Sequence, residues 1–442
     1  VDIVLVLVLF FVTLLVSLYK GVSILFPLLL GLIGFTLLSL RRGYKLPALG
    51  KMMLQGSKKS LIVIKIFVLI GIITAVWRAC GTISFIVYYS IAFISAKYFI
   101  LSAFILCCIV SYILGTSFGT VGTIGVVLIV LAKSGHVNIN AAAGAIIAGA
   151  YFGDRCSPMS SSANLVATLT NTKLYANINS MLKTSVAPFA LSIIGYIFLS
   201  QWNPLVYHDD QIGAEILHSF DINSIVLLPA VIILLLPAFR VDVKLSMTIS
   251  ILCGILIAIF IQHRTVLEML NYIVTGYRTD GSGFFADIIQ GGGLSSMLKV
   301  SLIVLISSAY SGIFEGTGLL NEVEHFFERL SRKIGVYLTT ILTSIASAAF
   351  SCNQTLAVIL THQFTRKIYE KRQLSNYKLA LDIENTVILL SVLIPWNIAG
   401  AVPAAALSAD AGFIPYAFYL FLIPLTNLFT NNMLAASQNS KG

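Results

Sequence analysis

Charge is what this sequence has least of. Only 10% of its 442 residues are charged, 58% are hydrophobic, and the mean hydropathy is +0.94. Soluble domains carry about 25% charged residues, so a soluble catalytic or nucleic-acid-binding module is excluded. Metal-ligand patterns are also missing. The six cysteines, Cys80, Cys107, Cys108, Cys156, Cys253 and Cys352, stand singly or as one neighbouring pair in apolar segments, and the six histidines are scattered. No resident metal or other cofactor is therefore expected. There is no HExxH, and Tyr151 occupies the place of the first glycine in a GxGD protease signature ending at Asp154. Both absences argue against an enzyme.

What is present is apolar length. Runs near 20 residues, enough to cross a bilayer as a helix, recur throughout, so the chain reads as one all-α polytopic membrane domain in contact with lipid. The run Ile3 to Leu18 lacks a basic start and a small-residue cleavage site and is expected to be a retained helix. The net charge of +10 is placed unevenly. Arg41, Arg42, Lys45, Lys51, Lys58, Arg332, Lys333, Arg366, Lys371 and Arg372 cluster in segments that alternate with apolar ones, the positive-inside pattern. These segments and both termini are expected in the cytoplasm. The acidic stretch Asp209 to Asp221 is expected outside.

The order of segments repeats. Helices near 3–19 and 22–40, a basic loop 41–59 and a helix 60–78 lead to a hairpin-like stretch 99–133, a helix interrupted at GDRCSP and a helix 181–200. Helices near 222–238 and 245–261, a long loop to Gly293 and a further helix lead to a hairpin-like stretch 334–368, a helix interrupted at IPWNIAG and a helix 413–433. Gly81 and Gly318, Ser117 and Ser351, and Asp154 and Glu384 lie 237, 234 and 230 positions apart. The expected architecture is two inverted-topology repeats, 1–200 and 222–442, joined by an external linker 201–221. Each has about five transmembrane helices plus a re-entrant hairpin and a broken helix. Residues 319–335 form an amphipathic segment that suits a helix lying on the membrane surface, as a plain connector or as a hinge arm.

Two stretches carry the polar chemistry. In GTSFGTVGTIG, residues 115–125, Ser117, Thr120 and Thr123 offer hydroxyls and the glycines offer carbonyls where backbone leaves the helix. Close helix packing is the alternative reason for such glycines. The matching break in the second half is Ser351, Cys352, Asn353, Gln354 and Thr355, of which Asn353 and Thr355 are the candidate ligands. Asp154 stands at membrane depth, where an ionisable group costs a few kcal/mol or more and is retained for function or paired, here with Arg155. A carboxylate binds a cation or a proton but not easily both, a physical route to exchange. Ser157, Ser160, Ser161, Ser162 and Asn164 can complete its shell. Glu384 is the second candidate carrier, with Asn397 nearby, and sodium is assigned to Asp154, Ser117 and Asn164. Arg78 and Glu315, each three residues before a glycine, can pair as a gate or face the pathway.

Together, Trp77 followed by GTI, SFGTVGTIG, GAIIAGAYFGDRCSP with Asn164, GGGLSSMLKV, GIFEGTGLL and IPWNIAGA resemble the NhaC family of sodium/proton antiporters in order over residues 70–410. The resemblance implies paired re-entrant hairpins, a homodimer, and elevator-like alternating access. The chain departs from the family pattern at Ser161, where an acid is usual, at Asn385, where an Asp usually follows the Glu, and at Val392, where a proline is usual. Sodium (or lithium) exchange for protons is the leading expectation. The rivals are a sodium- or proton-coupled exchanger of an organic anion or amino acid on the same scaffold, which Arg78 or Arg155 facing a cavity would favour, and a channel.

Overall fold

The computed structural model describes residues 2–20, 22–93, 96–204, 216–239, 241–279, 289–317 and 321–439. Most of the expected linker 201–221 and part of the loop 262–288 lie outside these residues. The fold is nearly all helix, with no strand among the described residues beyond one isolated bridge, Tyr277 to Gly291. Among those residues, four helices are long and apolar enough to cross a membrane, or six if two bent pairs each count as one span.

Helices α1 (Asp2–Tyr19) and α2 (Leu25–Arg41) precede α3 (Leu46–Ala79). The basic segment expected as a loop over 41–59 is mostly helix. Pro47 sits in the first turn of α3, where its missing N–H costs nothing, and no later residue breaks the helix. At 34 residues, α3 is about 50 Å long by helical rise, well beyond a hydrocarbon core of about 30 Å. Its basic first turns therefore extend past the apolar layer. Helix α4 (Thr82–Phe93) follows a 66° bend at Gly81, whose φ is +80°.

The first hairpin comprises α5 (Phe99–Leu114), α6 (Ser117–Thr120), a π-turn (Val121–Gly125) and α7 (Val126–Ser134). It is followed by α8 (Ile139–Cys156), α9 (Ser161–Thr170) and α10 (Leu174–Trp202). The second half holds α11 (Leu228–Ala238), α12 (Val243–Phe260) and α13 (Val266–Thr275). Helix α13 lies inside the stretch expected as a long loop and starts on a capping box between Thr265 and Glu268. Next come α14 (Gly293–Thr317) and α15 (Asn321–Ile334). The second hairpin is α16 (Val336–Ser351) and α17 (Gln354–Lys371), followed by the broken helix α18 (Asn376–Leu390) and α19 (Ile398–Ala406), bent by 52°, and by α20 (Phe418–Asn439).

Glycines set the packing of α3 on α14. A Cβ on Gly71 would fall 2.8 Å from the carbonyl oxygen of Gly293, and one on Gly56 would fall 2.8 Å from the backbone nitrogen of Gly312. These contacts make the helices antiparallel, with backbones closer than any side chain allows. Helix α15 lies against α17 as an amphipathic helix should: Phe327 stacks on Phe364 with centroids 6.0 Å apart, and Glu328 pairs with Lys371.

The two halves share their punctuation at one spacing. Gly115 and Cys352 both end a helix in the left-handed region, with φ of 66° and 51°, and 352 minus 115 is 237. Thr116 and Asn353 then cap the next helix, as Ser160 and Asn397 cap α9 and α19. Asn171 and Ser408, with φ of 52° and 54°, keep the same interval. At this interval Ser117 falls opposite Gln354 and Asp154 opposite Ser391, a different register from the landmarks Ser117 with Ser351 and Asp154 with Glu384. Caps are set by backbone conformation, which Gly and Cys, or Thr and Asn, satisfy with different side chains.

Candidate functional site

The hairpin tips and the helix breaks meet. Gly115 turns the first tip onto the break between α8 and α9, where a Cβ would lie 2.6 Å from the Met159 backbone. The second tip meets the break between α18 and α19: the Ile398 N–H donates to the Cys352 carbonyl at 2.9 Å, the Trp396 indole N–H to Ala349 O at 2.9 Å, and the Asn397 amide to Ala348 O at 2.7 Å. The two assemblies join where the Tyr151 hydroxyl donates to the Ala399 carbonyl at 2.7 Å.

Asp154 lies at this junction, 6% exposed, in the last turn of α8. The neutral polar groups within electrostatic range of its carboxylate are the backbone N–H of Ser117, the Ser162 hydroxyl and the Gln354 amide. The Ser160 and Ser162 hydroxyls also donate to its main-chain carbonyl, the latter at 2.8 Å, closing the end of α8. The Gln354 amide donates to Ile388 O at 3.0 Å, which ties the second hairpin tip to α18 beside Asp154. Every one of these groups is neutral. The carboxylate keeps its charge available to a small cation or proton.

Glu384 is fully buried on α18, and neither carboxylate oxygen has a hydrogen-bond partner. It lies within electrostatic range of Asp154 and Arg155. The Arg155 guanidinium, also fully buried, donates to Ser185 Oγ at 2.6 Å, Thr184 Oγ1 at 3.1 Å, Met181 O and Tyr419 Oη at 3.3 Å, and the Asn385 side-chain oxygen. Arg155 therefore points away from its sequence neighbour Asp154 and neutralises it by no direct contact.

The other expected residues divide. Ser117 reaches Asp154. The Thr120 hydroxyl donates to Thr116 O at 2.9 Å and that of Thr123 to Gly119 O at 2.7 Å, so both bond their own helix beside the π-turn. Ser157 is buried and its hydroxyl accepts from the Met159 N–H. Asn353 and Asn397 act as caps. Asn164 and Thr355 are exposed, and the Asn164 amide donates to Ser160 O at 2.7 Å. The proposed Arg78–Glu315 pair does not form. Arg78 stands at the end of α3 and donates to Thr74 O at 2.8 Å, whereas Glu315 adjoins Gly316, which packs on Met52 near the start of α3. Antiparallel packing sets them about 40 Å apart along the helices. Gln354, within the break at 351–355, and Tyr151 also stand at this cluster, and the 237-residue interval from Ser117 points to Gln354.

A cavity of about 640 Å³ reaches the break beside this cluster. Ser17, Asn140, Ser296, Lys299, Asp410 and Pro395 line it, and it opens at the end of the bundle opposite the basic turn Arg41–Lys45.

Paired broken helices around a buried carboxylate, with a cavity opening beside one of the breaks, are the features of a polytopic membrane transporter. A family model described as the Na+/H+ antiporter family matches residues 2–162 and 149–430. The chain is a member of that family, as the NhaC resemblance implied. It is 29% identical over 411 residues to the Na(+)/H(+) antiporter NhaC of Bacillus subtilis (strain 168), covering 91% of this chain and 90% of that protein. It is 30% identical over 382 residues to the Na(+)/H(+) antiporter NhaC of Alkalihalophilus pseudofirmus, covering 85% and 83%. It is 27% identical over 398 residues to the malate-2H(+)/Na(+)-lactate antiporter of Bacillus subtilis (strain 168), covering 87% and 84%.

Proposed function

We propose that the chain exchanges sodium (or lithium) for protons across the cytoplasmic membrane, with Asp154 as the carboxylate that holds either ion and Glu384 as its second carrier. One observation carries the reading: a buried carboxylate surrounded by neutral donors at the meeting of two helix breaks. Sodium takes oxygen ligands, and Asp154 with nearby hydroxyls and carbonyls supplies them. Protonation removes the charge that attracts the ion.

Family membership and the segment order support further parts of the reading. Residues 1–200 and 222–442 act as inverted repeats joined by 201–221, and the hairpin-bearing helices move against α1–α3 and α11–α14 to give alternating access. The basic segments and both termini face the cytoplasm, so the cavity beside Pro395 is the external entrance. The protein works as a homodimer embedded in lipid.

Reconstitution with a pH-sensitive dye tests this function. A sodium gradient is expected to drive proton movement in the opposite direction. The buried Arg155 and the malate/lactate relative favour one second reading, an organic-anion exchanger. Proton flux that requires a dicarboxylate or amino acid and ignores sodium and lithium would replace the first reading with that one.

A further inference from the structure

The cavity beside Pro395 holds more polar chemistry than the passage of a single small ion uses. One wall is α14, where Ser296, Lys299, Val300 and Ile303 recur at helical spacing and so share a face. A second wall runs from the end of α19 to Phe413 and contains Asp410. Asn140, in the first turn of α8, also lines the space.

Lys299 and Asp410 do not pair. The Lys299 ammonium makes no hydrogen bond or ion pair among the described residues, although it stands on a helix long and apolar enough to cross a membrane. Asp410 accepts the Gly412 N–H through Oδ1 at 2.8 Å, and its Oδ2 is open to the cavity. The Asn140 side-chain amide likewise makes no hydrogen bond among the described residues. It lies against Gly412, where a Cβ would meet Asn140 Nδ2 at 2.4 Å and Asp410 Oδ1 at 2.8 Å. The bare glycine therefore leaves both polar groups reachable. Ile24, Val300, Ile303 and the alanines of α19 make the remaining lining apolar.

An ionisable side chain on a spanning helix is retained for a partner or for what enters a water-filled cavity. Here an ammonium and a carboxylate, unpaired with each other, face one apolar-walled space. A ligand with only a carboxylate leaves Asp410 unanswered, and one with only a cation leaves Lys299. A molecule with both charges answers both, and the apolar walls suit an aliphatic side chain. We infer that this cavity binds a small aliphatic α-amino acid as its zwitterion, carboxylate on Lys299 and ammonium on Asp410 and the Asn140 side-chain oxygen. About 640 Å³ holds such a molecule together with several waters. Pro395 belongs to the same lining, so the bound molecule lies beside the break between α18 and α19, on the path that the exchange reading gives the ions. The site stands whichever ion is exchanged.

Isothermal titration of the purified full chain with L-leucine, 4-methylpentanoate and 3-methylbutylamine tests this, since the three share one aliphatic body and differ in charge. L-leucine is expected to bind saturably at one site, and each single-charge analogue about tenfold or more weakly. Lys299→Met keeps the length of the side chain, and Asp410→Asn keeps a capping oxygen; each is expected to weaken L-leucine binding by about tenfold or more. Gly412→Ala fills the cradle and is expected to do the same, so a variant that fails to fold leaves two others. Gly50→Ala, at the far end of the bundle, is expected to bind like the wild type. No saturable L-leucine binding to folded wild type up to about 10 mM, 4-methylpentanoate binding as tightly as L-leucine, or wild-type affinity in Lys299→Met and Asp410→Asn would overturn the inference. Sodium-driven proton flux measured without amino acid tests the exchange reading separately.

Discussion

Thr116 and Asn353 occupy the same backbone conformation, φ −146° and ψ 127° against φ −137° and ψ 128°, each directly after a left-handed residue and each capping the helix that leaves a hairpin tip. Thr116 accepts from the Gly119 N–H at 3.4 Å and Asn353 from the Thr355 N–H at 2.9 Å. The residues that follow them, Ser117 and Gln354, both turn toward Asp154. The cap thus aims the donor.

Asn353→Ala is expected to lower stability by about 1 kcal/mol through the lost cap, and to weaken ion binding because Gln354 loses its fixed direction. Asn353→Asp restores a capping oxygen and is expected to recover stability. Thermal unfolding in detergent distinguishes the two; equal melting temperatures would show that the cap is not what holds the tip.

Gln354→Ala removes a neutral polar group beside the Asp154 carboxylate and its tie to Ile388. The expected result is a rise of about tenfold in the sodium concentration for half-maximal exchange, the equivalent of one hydrogen bond to a charged group. Exchange kinetics that match the wild type would remove Gln354 from the site.

Gly153 is required by contact, not by conformation. A Cβ there would overlap the Ser111 backbone, and the Ser111 hydroxyl already donates to Gly149 O at 2.9 Å and accepts from the Gly153 N–H at 2.8 Å. Gly153→Ala is expected to cost about 1–3 kcal/mol or more by forcing α5 from α8. Gly50, on α3 with nothing within 4 Å, is the control: Gly50→Ala is expected to be neutral or stabilising by up to about 1 kcal/mol. Yield and melting temperature in detergent measure both, and a tolerated Gly153→Ala would contradict the packing account.

Single cysteines at Ser296 and Ala401, which line the cavity, are expected to react with a membrane-impermeant thiol reagent added outside the cell. Cys80, Cys107, Cys108, Cys156 and Cys352 are buried, and with the part-exposed Cys253 replaced by serine the background is low. Labelling only from the cytoplasmic side would reverse the assigned orientation.

Much of the fold was legible because its signals are local. The two hairpins, the interruptions at GDRCSP and IPWN, and the amphipathic helix α15 all show as polar or periodic departures in apolar sequence. The length of α3 was hidden because its basic first half, with Gly50 and Gly56, reads as a loop, although it contains no proline after Pro47. The register of the halves was hidden because a left-handed position accepts Gly115 or Cys352 and a cap accepts Thr116 or Asn353. Pairing by residue likeness matched Ser117 with Ser351, three positions away from Gln354. The supposed Arg78–Glu315 gate failed for a tertiary reason: equivalent positions in the two halves fall at opposite ends of antiparallel helices. Arg155 looked like a neighbour for Asp154, yet its side chain reaches α10, α18 and α20.

In the proposed exchange the Asp154 carboxylate carries the ion. The direct measurement compares sodium-driven proton flux in proteoliposomes containing wild-type protein and Asp154→Asn, with folding checked by size-exclusion profile and melting temperature. Asparagine keeps the shape and removes the charge. Flux at background level in a folded Asp154→Asn protein is the predicted result; flux within a few-fold of wild type would contradict the account.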